Sequence, residues 1–415
     1  MSRSLSDDGW LELVERAGEA EPEHRRRFSG DAATSQPLHT LYVPADRVTP
    51  TTTVEFGTEA LRLLETHAPD AAAFEDAFDV DASVAERTRT RVHAKLEREP
   101  VEDLRVDFED GYGARPDDEE DRHAEVAARA LQTAREAGTA PLSFGLRVKS
   151  FADGLQARSV RTLDTFLTTL IEAAGGLPEG FVVTFPKVNT AEHVAIFAEV
   201  LERLELGLGL PDGTLRFEVQ VETPRSVIAP DGSVAAPRIL DAAGGRLTAM
   251  HFGVFDYTAS LGLMPWEQRL DHPANDLARQ LLQVALAGTG VRISDGSSNV
   301  VPASDRTEEV HAAWRVHAGH VRHSLSAGFY QGWDLHPSHL VSRYAAVYGW
   351  LLAHLDGATG RVAAWRAGAA SEGVVDEPAT VTSLLRYLRL AVSSGAVDEA
   401  EINDAIGVSP GFLEV

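Results

Sequence analysis

The chain contains no cysteine. Disulfides, thiolate nucleophiles and cysteine-ligated zinc are thereby excluded. Lysine is nearly as scarce. It occurs only as Lys95, Lys149 and Lys187, and arginine supplies almost all other positive charge. Lysines kept against such a bias invite a role. Lys95 lies in the charged run RVHAKLERE, which reads as a solvated helix face. Lys149 and Lys187 each close an apolar run. Basic residues are short overall, 38 against 63 acidic ones, for a formal net charge of -25. Nucleic acid and anionic membrane surfaces both need a basic face and are not expected as partners. No uncharged apolar run reaches the roughly 18 residues of a membrane span. The N-terminal stretch MSRSLSDDGWLELVERAGEAEPEHRRRF has no apolar segment of the leader type. A cytoplasmic location is the expectation. Three signatures are also missing: G-x-S-x-G, H-E-x-x-H and a P-loop.

What is present is a globular composition, 44% hydrophobic and 24% charged over 415 residues. That length holds a barrel of about 250 to 300 residues with extensions. Residues 1–35 read as an amphipathic helix and a polar linker. Short strand candidates then alternate with longer helical stretches. The candidates are HTLYVPA (39–45), DLRVDFED (103–110), LSFGLRVKS (142–150), GFVVTFPKV (180–188), LRFEVQVET (215–223), LTAMHFGVFD (247–256), VRISDG (291–296) and YQGWDLHP (330–337). Strands alternating with helices imply a parallel sheet, and eight such units most simply close into an α/β (β/α)8 barrel, here over residues 36–355. The competing arrangement is a doubly wound open sheet, but no G-x-G-x-x-G opens a helix after the first strand. Residues 356–415 read as a C-terminal helical extension.

Strands covered on both sides should be apolar on both faces. Several of these are not. With a period of two, Arg105, Asp107 and Glu109 share one face, as do Arg147 and Lys149, and Glu218, Gln220 and Glu222. The opposite faces are apolar: Leu104, Val106 and Phe108; Phe144, Leu146 and Val148; Phe217, Val219 and Val221. In a barrel the apolar faces meet the helices and the charged faces fill the lumen. An antiparallel sheet with one wet face gives the same alternation, although the helical spacers are long for hairpins. Buried charges cost several kcal/mol each unless paired. Here the second and fifth strands are acidic and the third is basic, so partners are at hand.

Functional groups of such barrels gather at the C-terminal ends of strands. Glu222 ends the fifth strand and Asp256 the sixth. Two carboxylates on neighbouring strand ends, with water, suit Mg2+ and, by the same oxygen chemistry, Mn2+. The plain alternative is that each caps a helix or pairs with an arginine. Arg147 brings a planar, permanently charged fork for a carboxylate or phosphate, or else a lumen ion pair with Glu109. Lys187, in FPKVNT, is either a fixed cation or a Schiff-base nucleophile. His336, in WDLHPSHL, stands at the last strand's mouth as a substrate contact. His317, His320 and His323 recur every third residue without a catalytic glutamate and read as a solvated helix face rather than a zinc site.

Taken together these pieces resemble the citrate lyase β-subunit-like, or HpcH/HpaI aldolase, family of the phosphoenolpyruvate-binding barrel superfamily, from about residue 38 to 345. LYVPADR is similar to its opening strand, VDFEDGYGARPDDEEDRHA to its acidic second strand, and LRVKS to the strand bearing a substrate arginine, at Arg147. FPKV resembles its PKV motif, at Lys187. VQVETP and FGVFDYTASLG resemble its metal-ligand segments, at Glu222 and Asp256. RISDG and GFYQGWDLHPSHL match its last two strands, with Gly332-Trp333 where a lysine is usual. The resemblance implies a Mg2+-dependent carbon–carbon lyase or aldolase acting on an oxo acid, hydroxy-acid adduct or acyl-CoA thioester through a metal-stabilised enolate, and a homo-oligomer. Glu109 and Asp110 would orient Arg147, Lys187 or a water molecule. Phosphoenolpyruvate-type phosphoryl or acyl transfer, and a non-catalytic metabolite-binding barrel, are the alternatives.

Overall fold

All eight expected strands form, and every pairing between them is parallel. They are β1 (His39–Pro44), β2 (Asp103–Asp107), β3 (Ser143–Arg147), β4 (Phe181–Phe185), β5 (Phe217–Val221), β6 (Leu247–Phe252), β7 (Arg292–Ser294) and β8 (Gly332–Asp334). The computed structural model of the chain describes residues 7–30, 36–152, 154–368 and 376–414. The strand order is β7-β6-β5-β4-β3-β2-β1-β8. Just past β7, Asp295 N donates to Gln331 O at 2.8 Å and Trp333 N donates to Gly296 O at 3.2 Å, which draws the sheet into a ring. The fold is the (β/α)8 barrel read from the sequence.

Each strand stops sooner than the apolar alternation suggests, and β2 shows why. Glu109 N and Gly111 N donate to the two oxygens of Asp107, each at 2.9 Å. The backbone is thereby bent off the ladder, so Glu109 and Asp110 sit in the loop above β2 rather than on it.

The apolar face of β2, β3 and β5 is buried against the helices, as the alternation requires. The opposite face fills the lumen with paired charge. Arg105 donates to both oxygens of Glu218, at 3.1 Å each, and to Thr184 Oγ1 at 3.0 Å. It also bonds Asp103. His251 Nε2 lies 3.1 Å from the second Glu218 oxygen, and Trp333 Nε1 donates to His251 Nδ1 at 2.9 Å. No charge in this layer is left isolated, which is the condition for burying it at all.

Three readings change. Lys95 is buried, not solvated, because its helix (Ala85–Arg98) lies beneath the long helix Pro337–Arg366; it pairs with Glu99 and Glu102 at 2.7 Å each. Lys149 does not share the lumen with Arg147. It pairs with Glu120 at 3.0 Å, on the helix Asp117–Glu136. His317 and His320 are buried and His323 is half-buried, because three parts of the chain cover their helix, Thr307–Ser326: His317 meets Ser342 of Pro337–Arg366, His320 meets Ser298, and His323 meets Asp276.

Toward the termini, the helix Asp7–Arg27 forms, and residues 31–35 of the expected linker lie outside the described residues. The helix Pro337–Arg366 runs unbroken through residue 356, where the extension was expected to start, and Pro378–Ser393 and Glu399–Ile406 pack on it. No helix among the described residues is long and apolar enough to cross a membrane.

Arg105 is the guanidinium that pairs with both Asp103 and Glu218 in this layer, and His251 meets Glu218 alone. Replacing it, Arg105→Met, deprives two buried carboxylates of their main cation. A loss of about 3–5 kcal/mol in urea-unfolding free energy is expected.

Candidate active site

Above the Arg105 layer, the lumen opens into a cavity of about 440 Å³ at the C-terminal mouth. That is the range of small-ligand sites. Its walls include Tyr42, Asp107, Asp110, Arg147, Glu222, Gly253, Asp256, Ser297, Asn299 and Trp333. Of the residues singled out in the sequence, Arg147, Lys187, Glu109, Asp110, Glu222 and Asp256 are brought together here. His336 is not. It caps the helix Pro337–Arg366, its Nδ1 accepting from Ser338 N at 3.2 Å, and it does not line the cavity.

Arg147, at the end of β3, is held by Asp107 at the end of β2. Nε donates to one carboxylate oxygen and Nη2 to the other, both at 2.7 Å. This fork-to-fork geometry is the strong form of the pair. It leaves Nη1 for the cavity side, where it reaches Gln220 Oε1 at 3.4 Å and Glu109 Oε2 at 3.4 Å.

Lys187 follows β4 with a backbone φ of 50°, in the left-handed region that a non-glycine residue enters at a cost of roughly 1–2 kcal/mol. Three hydrogen bonds compensate. Its backbone N donates to Glu222 Oε1 at 2.7 Å, and its Nζ donates to Glu109 at 2.5 Å and Asp110 at 2.6 Å. Asp256 Oδ2 lies 3.8 Å from the same Nζ. One residue therefore ties the β2 loop, β5 and the segment after β6 together. Burial alone would lower the Lys187 pKa, but Glu109 and Asp110 more than offset it and hold it above the usual lysine range. Those contacts favour the fixed cation over the Schiff-base nucleophile, which needs a neutral amine.

The carboxylates here are crowded. Glu222 is fully buried, and burial, with Glu109 and then Asp256 nearby, pushes it up to about 8. Burial raises Glu109 to about 7 in spite of Arg147. Asp256, in the first turn of the helix Val254–Ser260, is raised by burial and Asp110 against the pull of Lys187. Glu222 Oε2 accepts no hydrogen bond among the described residues. A hard oxygen donor set with surplus negative charge and a carboxylate oxygen that accepts no protein hydrogen bond fits a divalent cation of the Mg2+ type.

Among the described residues, the group of three whose ligand atoms all lie within 4.8 Å of one another is elsewhere, at His317, Asp334 and His339. Its polar atoms are committed elsewhere. Arg343 donates to both oxygens of Asp334, at 2.7 and 2.8 Å, and the two imidazoles stack with centroids 4.3 Å apart. Stacked rings do not aim in-plane nitrogens at a common ion.

With this geometry in place, the comparisons can be stated. Residues 17–414 match the family described as a domain of unknown function, DUF6986. The chain belongs to that family. Among named relatives of this DUF6986 protein, the L-malyl-CoA/β-methylmalyl-CoA lyase of Haloarcula marismortui is 40% identical over 96 residues, which is 23% of this chain and 26% of that protein. The chain thus matches about a quarter of the relative's length. A solved citrate lyase from Burkholderia xenovorans LB400 superposes with a TM-score of 0.58 at 18% identity, over 90% of this chain and 97% of that one. A Haloferax volcanii malate synthase does so with a TM-score of 0.50 at 14% identity, over 92% and 98%. At these identities the solved structures establish the fold: the DUF6986 chain has the barrel of the citrate lyase-like proteins, as the motif resemblance implied.

Motif reasoning missed Tyr42, Ser297, Asn299 and Trp333. Tyr42 had a signal, since it alternates with the apolar Leu41 and Val43 and so belongs to the lumen face. Ser297 and Asn299 sit in a loop, where no periodicity marks them.

Gly253 permits the Glu222 geometry. A Cβ there would meet Glu222 Oε2 at 2.4 Å and Glu222 Cβ at 2.5 Å. Gly253→Ala is expected to cost about 1–3 kcal/mol of stability by overpacking. The cost should shrink in a Glu222→Gly background, which removes both clashing atoms, a coupling measurable by a double-mutant cycle.

Proposed function

We propose that this DUF6986 protein is a carbon–carbon lyase that cleaves a hydroxy-acid adduct, as the acyl-CoA thioester or the free acid, into a small 2-oxo acid and a second fragment released through its enolate. The convergence of Arg147, Lys187 and three carboxylates around one cavity at the barrel mouth carries this reading. The local match to a malyl-CoA/β-methylmalyl-CoA lyase supports it and suggests the thioester.

The chemistry requires three things of the site. A carboxylate must be bound, the adduct's hydroxyl proton must leave as the carbon–carbon bond breaks, and the electron pair must be accommodated as an enolate until that carbon is protonated. Arg147 is suited to the first. Asp107 fixes two of its nitrogens, so Nη1 meets the substrate carboxylate without reorganising. The same guanidinium stabilises charge developing on the enolate oxygen, where a preorganised cation is most effective. Lys187 holds Glu109 and Asp110 in place and keeps a permanent positive charge beside the reacting centre. Glu222 and Asp256 would hold Mg2+ or Mn2+, which when bound supplies Lewis-acid polarisation of the substrate's oxygens. The apolar and aromatic part of the wall, Val254, Phe255, Trp333 and Leu335, limits water around the enolate.

The net charge of -25 and the absence of a basic face among these features leave a small metabolite as the partner. A cytoplasmic, homo-oligomeric enzyme is the corresponding proposal.

The test is release of glyoxylate or pyruvate from malyl- and methylmalyl-type thioesters and from the free hydroxy acids, with Mg2+ present. Glu222→Gln and Asp256→Asn are each expected to reduce kcat/KM by about a thousandfold, the scale of losing a principal charge-stabilising element. Both should also abolish the calorimetric Mg2+ signal while leaving the far-ultraviolet spectrum unchanged. Unaltered Mg2+ affinity in both variants would refute the metal assignment. Release of phosphate from phosphoenolpyruvate, with none of the adducts cleaved, would refute the lyase reading and favour phosphoryl transfer.

A further inference from the structure

Tyr42 on β1 is buried in the lumen wall and lines the mouth cavity. Its ring is gripped from two sides. The Arg147 guanidinium lies 4.9 Å from the ring centroid, and the Trp333 ring centroid lies 5.1 Å away. The phenol oxygen is therefore fixed in place, and the direction of its hydrogen bond can be worked out from its neighbours.

Asp107 sets the polarity of the series. A carboxylate accepts, so Arg147 donates to it. A guanidinium has no acceptor, so the Gln220 atom that Arg147 Nη1 meets at 3.4 Å must be the carbonyl oxygen. This fixes the orientation of the Gln220 amide. Its other end, Nε2, meets the Tyr42 hydroxyl at 3.3 Å and can only donate. The hydroxyl is thus the acceptor in that bond, and its own proton is uncommitted. No acceptor for it lies within hydrogen-bonding distance among the described residues. A buried donor left unpaired costs about 1–3 kcal/mol, which a ligand acceptor would recover.

We propose that Tyr42 contacts the substrate, donating its phenolic hydrogen bond to an anionic oxygen of the bound 2-oxo acid beside Arg147 Nη1. The inference rests on the lyase reading for the class of ligand. It adds a neutral donor to a site otherwise described by charge. The directed series Asp107, Arg147, Gln220, Tyr42 orients two donors toward one locus, and neither can turn away without breaking a bond further back. No proton is transferred; the phenol holds the oxygen as charge builds on it, and the bond strengthens accordingly. Phenylalanine at this position would preserve the packing between Arg147 and Trp333 and remove the hydroxyl, both as a donor to the ligand and as the acceptor for Gln220 Nε2.

The probe is oxalate, titrated calorimetrically into the full-length protein in Mg2+ buffer. Binding to the wild type with about tenfold weaker binding to Tyr42→Phe is expected, the scale of one hydrogen bond to an anion. The melting temperature of Tyr42→Phe should fall by no more than a few degrees, because Gln220 Nε2 loses one hydrogen-bond acceptor while the ring packing is kept. Equal oxalate affinity in the two proteins would overturn the assignment of Tyr42 while leaving the lyase reading standing. Failure of the wild type to bind oxalate, pyruvate or glyoxylate would overturn the lyase reading and this inference with it. Difluorotyrosine at position 42, a stronger donor of nearly the same shape, gives a check that does not depend on Phe folding. Tighter oxalate binding is expected, and unchanged or weaker binding would contradict the proposal.

Discussion

The bidentate pair between Asp107 and Arg147 is the interaction on which the mouth of this barrel depends. Each Asp107 oxygen accepts twice, once from Arg147 and once from the backbone of its own loop, at Glu109 N or Gly111 N. One buried carboxylate therefore fixes a cation on the neighbouring strand, ends β2, and bends the chain so that Glu109 and Asp110 rise beside Lys187. A buried charge with four donors has its desolvation compensated, and such a network specifies a single geometry because any partial arrangement leaves an unpaired group in low dielectric.

The next level up is organised by repulsion. Burial raises Glu109, Glu222 and Asp256, and acidic neighbours add to it: Asp110 beside Glu109 and Asp256, and Glu109 and Asp256 beside Glu222. The protein tolerates this by inserting Lys187, whose left-handed backbone delivers an N–H to Glu222 and whose ammonium spans Glu109 and Asp110. Strain in the backbone and crowding among like charges occur in the same place. That combination is characteristic of a site prepared for a ligand, since a group selected only for stability would relax both.

Much of this was legible in the residues. The eight strands followed from the alternation of short apolar runs with long helical spacers, and the barrel from their number. The lumen followed from period two applied to Arg105, Asp107, Glu218 and Gln220. The strand ends at Glu222 and Asp256 pointed to the mouth. Three positions were misread for one shared reason. Lys95, His317 and His320 lie on helices whose polar residues look like a solvated face in one dimension, yet distant parts of the chain cover them: the helix Pro337–Arg366 over Lys95 and His317, and the loop at Ser298 over His320. Lys149 failed differently: strand periodicity was extended two residues beyond the end of β3, where it no longer applies.

The sequence by itself determined which residues alternate, and hence which charges had to be buried and paired, because side-chain direction along a strand is a local property of the backbone. It also restricted cations to arginine and three lysines, which left few candidates for any anionic ligand. Only the tertiary structure decided who pairs with whom. Arg147 finds Asp107 rather than Glu109 as its main partner, Tyr42 is left with a free donor, and His336 is drawn off to cap a helix. Such outcomes depend on closing the ring, which brings β1 against both β2 and β8 and sets groups hundreds of residues apart within hydrogen-bonding distance. Distances of that kind follow from the packing of whole strands and helices, and no local pattern encodes them.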